Sequence, residues 1–147
     1  MRGIIGGLIF ILLVMLSGCG ADNRIELPFT AADVAYAEVF TGSVPAQAKM
    51  KTVTGVNDIV CICKTFNEMV VKREAADADM TAGGIGTLFR FRLTNGRSYT
   101  VHTNGSLIRT AAGMYVTANE SFDTDSFWKS LEYDETAVAE NELPAVN

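Results

Sequence analysis

The sequence is poor in the residues that most often build metal centres and nucleic-acid surfaces. It has one histidine, His102, and three cysteines among 147 residues. Transition-metal sites draw on clustered His, Cys and carboxylate ligands, so this supply predicts no metal and no cofactor. Basic residues are also few: 12 Lys and Arg stand against 17 Asp and Glu, giving a net charge of −5 and a pI of about 4.8. Polyanion binding leans on clustered Lys and Arg, so no nucleic-acid partner is expected. No apolar run reaches the roughly 20 residues of a bilayer-spanning helix. The 48% hydrophobic and 20% charged content excludes a disordered chain, and the length suits one domain. No GxSxG or HExxH pattern is present, so no catalysis is expected. A small hydrolase would have to assemble its residues from distant positions. Gly83-Gly84-Ile85-Gly86 lacks the lysine of a phosphate loop and precedes a strand, not a helix.

The N-terminus carries the most information. Arg2 is followed by Ile4 to Leu16, thirteen residues that are all apolar or Gly. That length fits the apolar region of a signal peptide. The stretch closes on Leu16-Ser17-Gly18-Cys19, which resembles the lipobox of bacterial lipoproteins. The chemistry accounts for the pattern: small residues let the backbone enter the modifying enzymes, and a thiol must be presented for thioether formation with a diacylglycerol. The resemblance implies cleavage between Gly18 and Cys19 and lipidation of Cys19. It also implies a protein anchored by lipid on the extracytoplasmic side of a bacterial cell membrane. Two acyl chains, at about 0.8 kcal/mol per buried CH₂, hold such a protein stably.

Residues 1–18 are thus expected to be a signal peptide, and 19–24 the lipidated cysteine with a short polar tether. The five residues 20–24 span at most about 18 Å. Residues 25–133 are expected to form the domain. Residues 134–147, with four acids and no base, are expected to be a disordered acidic tail.

Within the domain, residues 33–41 and 48–54 are predicted strands. In the first, Val34, Tyr36 and Phe40 form the apolar row and Glu38 breaks it. Ile59, Ile62, Cys63, Phe66, Met69 and Val70 mark one face of a helix expected to fade near Lys72–Glu74. Four strands follow, around 88–93, 98–102, 107–110 and 114–117. A second helix begins near Asp123, with Phe122 and Phe127 placed as a hydrophobic staple. The order β-β-α-β-β-β-β-α describes an α+β two-layer sandwich, an antiparallel sheet with two helices on one face. By the same pattern, residues 25–133 resemble small Gram-positive lipoproteins that have no assigned activity.

Register decides which side chains share the outer face. A three-residue loop, Thr94-Asn95-Gly96, would pair Phe91 with Tyr99 and Phe89 with Val101, keeping the large apolar groups together. A two-residue turn at Asn104-Gly105 and a three-residue turn at 111–113 would then pair Thr100 with Arg109 and Arg109 with Tyr115. Arg90, Thr100, Arg109 and Tyr115 would form a row about 14 Å long, with Arg92 and His102 beside it. This cationic face is the expected binding surface for an envelope protein, peptide or glycan. The bland alternative is an ordinary solvated sheet face. A second functional reading makes the chain an accessory or structural subunit of an envelope complex, joined through the Cys61 helix or the sheet edge at 33–41. Cys61 and Cys63, two apart on a helix, point away from each other and should not form a disulfide.

Overall fold

The computed structural model describes residues 23–41, 47–81, 86–118 and 123–144. Gly18, Cys19, the signal peptide, Phe122 and Gly83-Gly84-Ile85 lie outside them.

The fold is α+β, as the element order predicts. Its strands are β1 (Val34–Thr41), β2 (Lys49–Val53), β3 (Val71–Glu74), β4 (Thr87–Leu93), β5 (Ser98–Asn104), β6 (Leu107–Thr110), β7 (Gly113–Thr117) and β8 (Thr136–Ala137). They form one antiparallel sheet in the order β3-β7-β6-β5-β4-β1-β2-β8. Helices α1 (Val56–Asn67) and α2 (Thr124–Ser130) both cover its inner face. Among the described residues, no helix is long and apolar enough to cross a membrane.

The core follows from alternation on the central strands. Val39, Phe89, Phe91, Val101 and Ile108 point inward and are fully buried. Helix α1 lays Ile59, Ile62, Cys63 and Phe66 against them. Phe66 meets Phe89 edge-on at 4.9 Å between ring centroids, and Phe127 of α2 meets Phe89 at 5.7 Å. Asp123 caps α2 by accepting from the Ser126 backbone N–H at 3.0 Å.

The β4–β5 hairpin has the predicted register: Phe89 pairs with Val101, Arg90 with Thr100 and Phe91 with Tyr99. Gly96, at φ +83°, takes the left-handed position that the three-residue loop requires.

Other expectations are corrected. Helix α1 stops at Asn67, and Val71–Glu74 is an edge strand paired with β7. The consecutive β-branched Val70 and Val71 favour that extended backbone. Residues 23 and 24 belong to the fold and not to a tether. Arg24 bridges Val70, and the Asn23 carbonyl accepts from Val71 N–H at 2.6 Å. The acidic tail is ordered over 134–144: Ala137 and Thr136 pair with Lys49 and Met50, and Val138 and Leu143 pack with Phe40, Ala48, Met50 and Leu88. That small cluster is a second core, on the outer face of the sheet.

In β1, an irregularity between Val34 and Tyr36 shifts the alternation by one residue. Val34 faces the main core, while Tyr36, Glu38 and Phe40 share the outer face. Glu38 therefore continues an outward row and breaks nothing.

Candidate binding site on the outer sheet face

Strands β1 and β4 are adjacent and antiparallel, and Glu38 lies directly opposite Arg90. Arg90 Nε donates to Glu38 Oε2 at 2.6 Å and its Nη2 donates to Oε1 at 2.9 Å, a bidentate pair. Arg92 sits two residues along β4, on the same face, and its Nε donates to Glu38 Oε2 at 3.0 Å. One carboxylate thus holds two guanidinium groups. The Glu38 side chain is only 10% exposed and that of Arg92 is 37% exposed. Burial pushes the Glu38 carboxyl up, but the hydrogen bonds and charges of both arginines outweigh it and leave the group below its ordinary value. The Arg90 guanidinium also lies over the Phe40 ring at 5.1 Å, which ties the charged cluster to the outer apolar one.

Two clefts flank this pair of arginines. The first, about 540 Å³, lies between the sheet and the C-terminal segment and is lined by Glu38, Phe40, Met50, Arg90, Asn141 and Glu142, among others. The second, about 420 Å³, is lined by Arg90, Arg92, Ser98, Tyr99, Thr100, Ala111 and Pro144. Among the described residues, no acidic side chain lines the second cleft. The two clefts differ in charge because Glu38 and Glu142 line only the first.

Of the six residues expected to form the surface, Arg90, Arg92 and Thr100 come together around the second cleft. His102 and Arg109 stand apart from it, facing each other across β5 and β6. The β5–β6 turn centres on Gly105-Ser106 and not on Asn104-Gly105, so Asn104 pairs with Leu107 and the register slides by two. Parity is kept, but Arg109 is carried past Thr100 to His102, and Ala111 lines the cleft instead. Tyr115, half-buried, leaves the outer face. The β6–β7 turn spans two residues, with Thr110 paired to Gly113, so Tyr115 lies opposite Ile108 and packs against the main core. A one-residue change in loop length turns every following side chain to the other face.

His102 is half-buried. Burial, and then the nearby Arg109 charge, lower its pKa, so the neutral imidazole is favoured. A Cβ built on Gly86 would collide with His102 Nε2, so glycine is what lets the imidazole lie over that backbone. Cys61 is exposed and Cys63 is buried; both thiols are free, and burial pushes Cys63 up to about 11. Among the described residues, no three His, Cys, Asp or Glu side chains are grouped to hold a metal.

Glu38 and the C-terminal wall are the parts that sequence reasoning missed. The signal for Glu38 was present: a lone acid inside an otherwise apolar strand, with Arg90 and Arg92 spaced by two elsewhere. The C-terminal wall had a weaker signal in Val138 and Leu143, spaced among acids.

Comparisons with protein-family models, with curated proteins and with solved structures found no match to this chain.

Proposed function

We propose that the chain is a lipid-anchored, extracytoplasmic bacterial lipoprotein that acts without catalysis, binding an envelope protein, peptide or glycan through the outer face of its sheet. The observation that carries the binding reading is the pair of clefts around Arg90 and Arg92. Two guanidiniums share a single carboxylate there, which leaves cationic character on a concave surface of an acidic protein. The Leu16-Ser17-Gly18-Cys19 pattern carries the anchoring reading.

The chain path supports their combination. Asn23 is held against Val71 at the β3 edge, so the described chain enters the fold at that edge. Strand β4 is four strands away, about 19 Å along the sheet. The chain therefore enters the fold on a strand remote from the clefts, which suits an N-terminal anchor.

Crosslinking in native membranes tests the binding, with Arg92→Glu as the variant. A partner recovered with the wild type should be lost, and an unchanged set of partners would refute the binding face. Mass spectrometry of the N-terminal peptide tests the anchor: a bare Cys19 thiol would refute it.

The subunit reading has one observation of its own. On α1, Val56 is 74% exposed, Val60 is 47% exposed and Cys61 follows them. Blue-native gels of solubilised membranes separate the two, since a sole monomeric band counts against a subunit.

A further inference from the structure

The second cleft is lined by two arginines and by hydroxyl side chains, all able to donate, and among the described residues by no carboxylate. Arg92 is hydrogen-bonded to Glu38 through Nε and lines this cleft together with Ser98, its cross-strand partner, and Thr100. Both hydroxyls can donate. The charge is equally definite. Arg90 and Arg92 carry two positive charges and Glu38 one negative charge, so the cluster retains one positive charge. That balance suits a monoanion. A phosphate dianion would leave an excess of negative charge against the Glu38 carboxylate.

The planar edge of a guanidinium matches a carboxylate, and this pair already demonstrates the match on its other side with Glu38. The neighbouring cleft shows how a chain can lie here. Residues 136–144 cross the outer face, with an aliphatic anchor at Val138 and an acid at Glu142 on the cleft wall. Pro144 continues that path to the second cleft.

We infer that the cleft bounded by Arg90, Arg92, Ser98 and Thr100 is a carboxylate-binding site that takes an acidic side chain of a peptide laid across the outer sheet face. The inference rests on the binding-face reading and narrows it to one ligand chemistry. Arg92 supplies the forked contact, Thr100 and Ser98 complete the donor set, and Arg90 contributes charge while bound to Glu38.

The test is a ¹⁵N NMR titration of the full chain in detergent micelles at low ionic strength. The probe is a blocked pentapeptide, Gly-Gly-Glu-Gly-Gly, with Gly-Gly-Gln-Gly-Gly as the uncharged control. The Glu peptide should shift the Ser98 and Thr100 amides in a saturable manner. The Gln peptide should bind about tenfold more weakly, the loss of one charge-assisted contact. Thr100→Val, which retains a β-branched side chain, should weaken the Glu peptide severalfold. Equal binding of the two peptides overturns the inference, as do shifts confined to another surface or no saturation at millimolar peptide. Tighter competition by inorganic phosphate overturns the monoanion argument, and tighter binding of a uronate oligosaccharide overturns the choice of a peptide. If Arg92→Glu still abolishes the crosslinked partner while the Glu peptide fails, the carboxylate inference falls and the binding face stands. If the crosslinks are indifferent to Arg92→Glu, the broader reading falls with it.

Discussion

Replacing Glu38 with Gln tests the electrostatic logic of the outer face. The substitution keeps the shape and removes one charge. It takes the anionic partner from three hydrogen bonds, two from Arg90 and one from Arg92. It also leaves two guanidiniums side by side with no acid between them. Removing one partner of a fully buried ion pair costs about 3–5 kcal/mol. Here the Arg92 side chain is 37% exposed and the clefts admit water, which screens the charges and reduces the cost. We expect Glu38→Gln to destabilise the fold by about 2–3 kcal/mol at pH 7, with the urea midpoint lowered and m unchanged. Trp128 fluorescence reports the transition.

The pH dependence is the sharper part. The folded carboxyl titrates below its ordinary value of 4.5, so the unfolded chain binds the proton more readily. The stabilisation is therefore complete above about pH 4.5 and is lost as pH falls through the folded value. Protonated Glu and Gln are nearly isosteric, so the gap between wild type and variant should close over that window. A gap below about 0.5 kcal/mol at pH 7, or one that persists unchanged in acid, would refute the reasoning.

Three further outcomes follow from other parts of the fold. Lys51 lies on the inner face, 6% exposed, donating to the Trp128 and Leu131 carbonyls at 2.9 and 2.7 Å. Lys51→Met should cost about 1–3 kcal/mol by thermal unfolding, because both carbonyls at the end of α2 lose the ammonium donor and keep only a backbone N–H; a neutral result would mean that water replaces the ammonium. Of the two helix thiols, Cys61 should react with a disulfide reagent at pH 8 within minutes, and Cys63 only on unfolding, since it is buried and pushed up to about 11; equal rates would contradict the packing of α1. Ending the chain after Tyr133 should uncover Phe40, Met50 and Leu88, raise ANS fluorescence and lower stability by about 2 kcal/mol; an unchanged ANS signal would show that the segment covers nothing.

Local pattern was enough for α1, whose apolar residues repeat at helical spacing through Phe66, and for the β4–β5 hairpin. In that hairpin a glycine able to adopt positive φ and an alternating apolar row agree on one register. It was enough for the α+β class, because the sheet and two amphipathic helices must bury one face each. It also placed Arg90, Arg92 and Thr100 on one surface, since the pairing of two neighbouring strands determines that. The N-terminal lipobox resemblance, in contrast, stands on sequence alone, as Cys19 lies outside the described residues.

Tertiary structure decided the rest wherever one residue of backbone geometry reversed a face. The irregularity after Val34 put Glu38 beside the arginines, and the two-residue β6–β7 turn sent Tyr115 inward. Neither is encoded in a periodicity, because alternation survives on both sides of such a slip and only its phase changes. The C-terminal segment illustrates the same limit from another direction. Residues 134–147 are acidic and unpatterned, and Val138 and Leu143 acquire a place to be buried only when Phe40, Met50 and Leu88, distant in sequence, are assembled on one sheet. Hydrophobic burial depends on partners brought together by the whole fold, so the wall of the binding cleft exists only at that level.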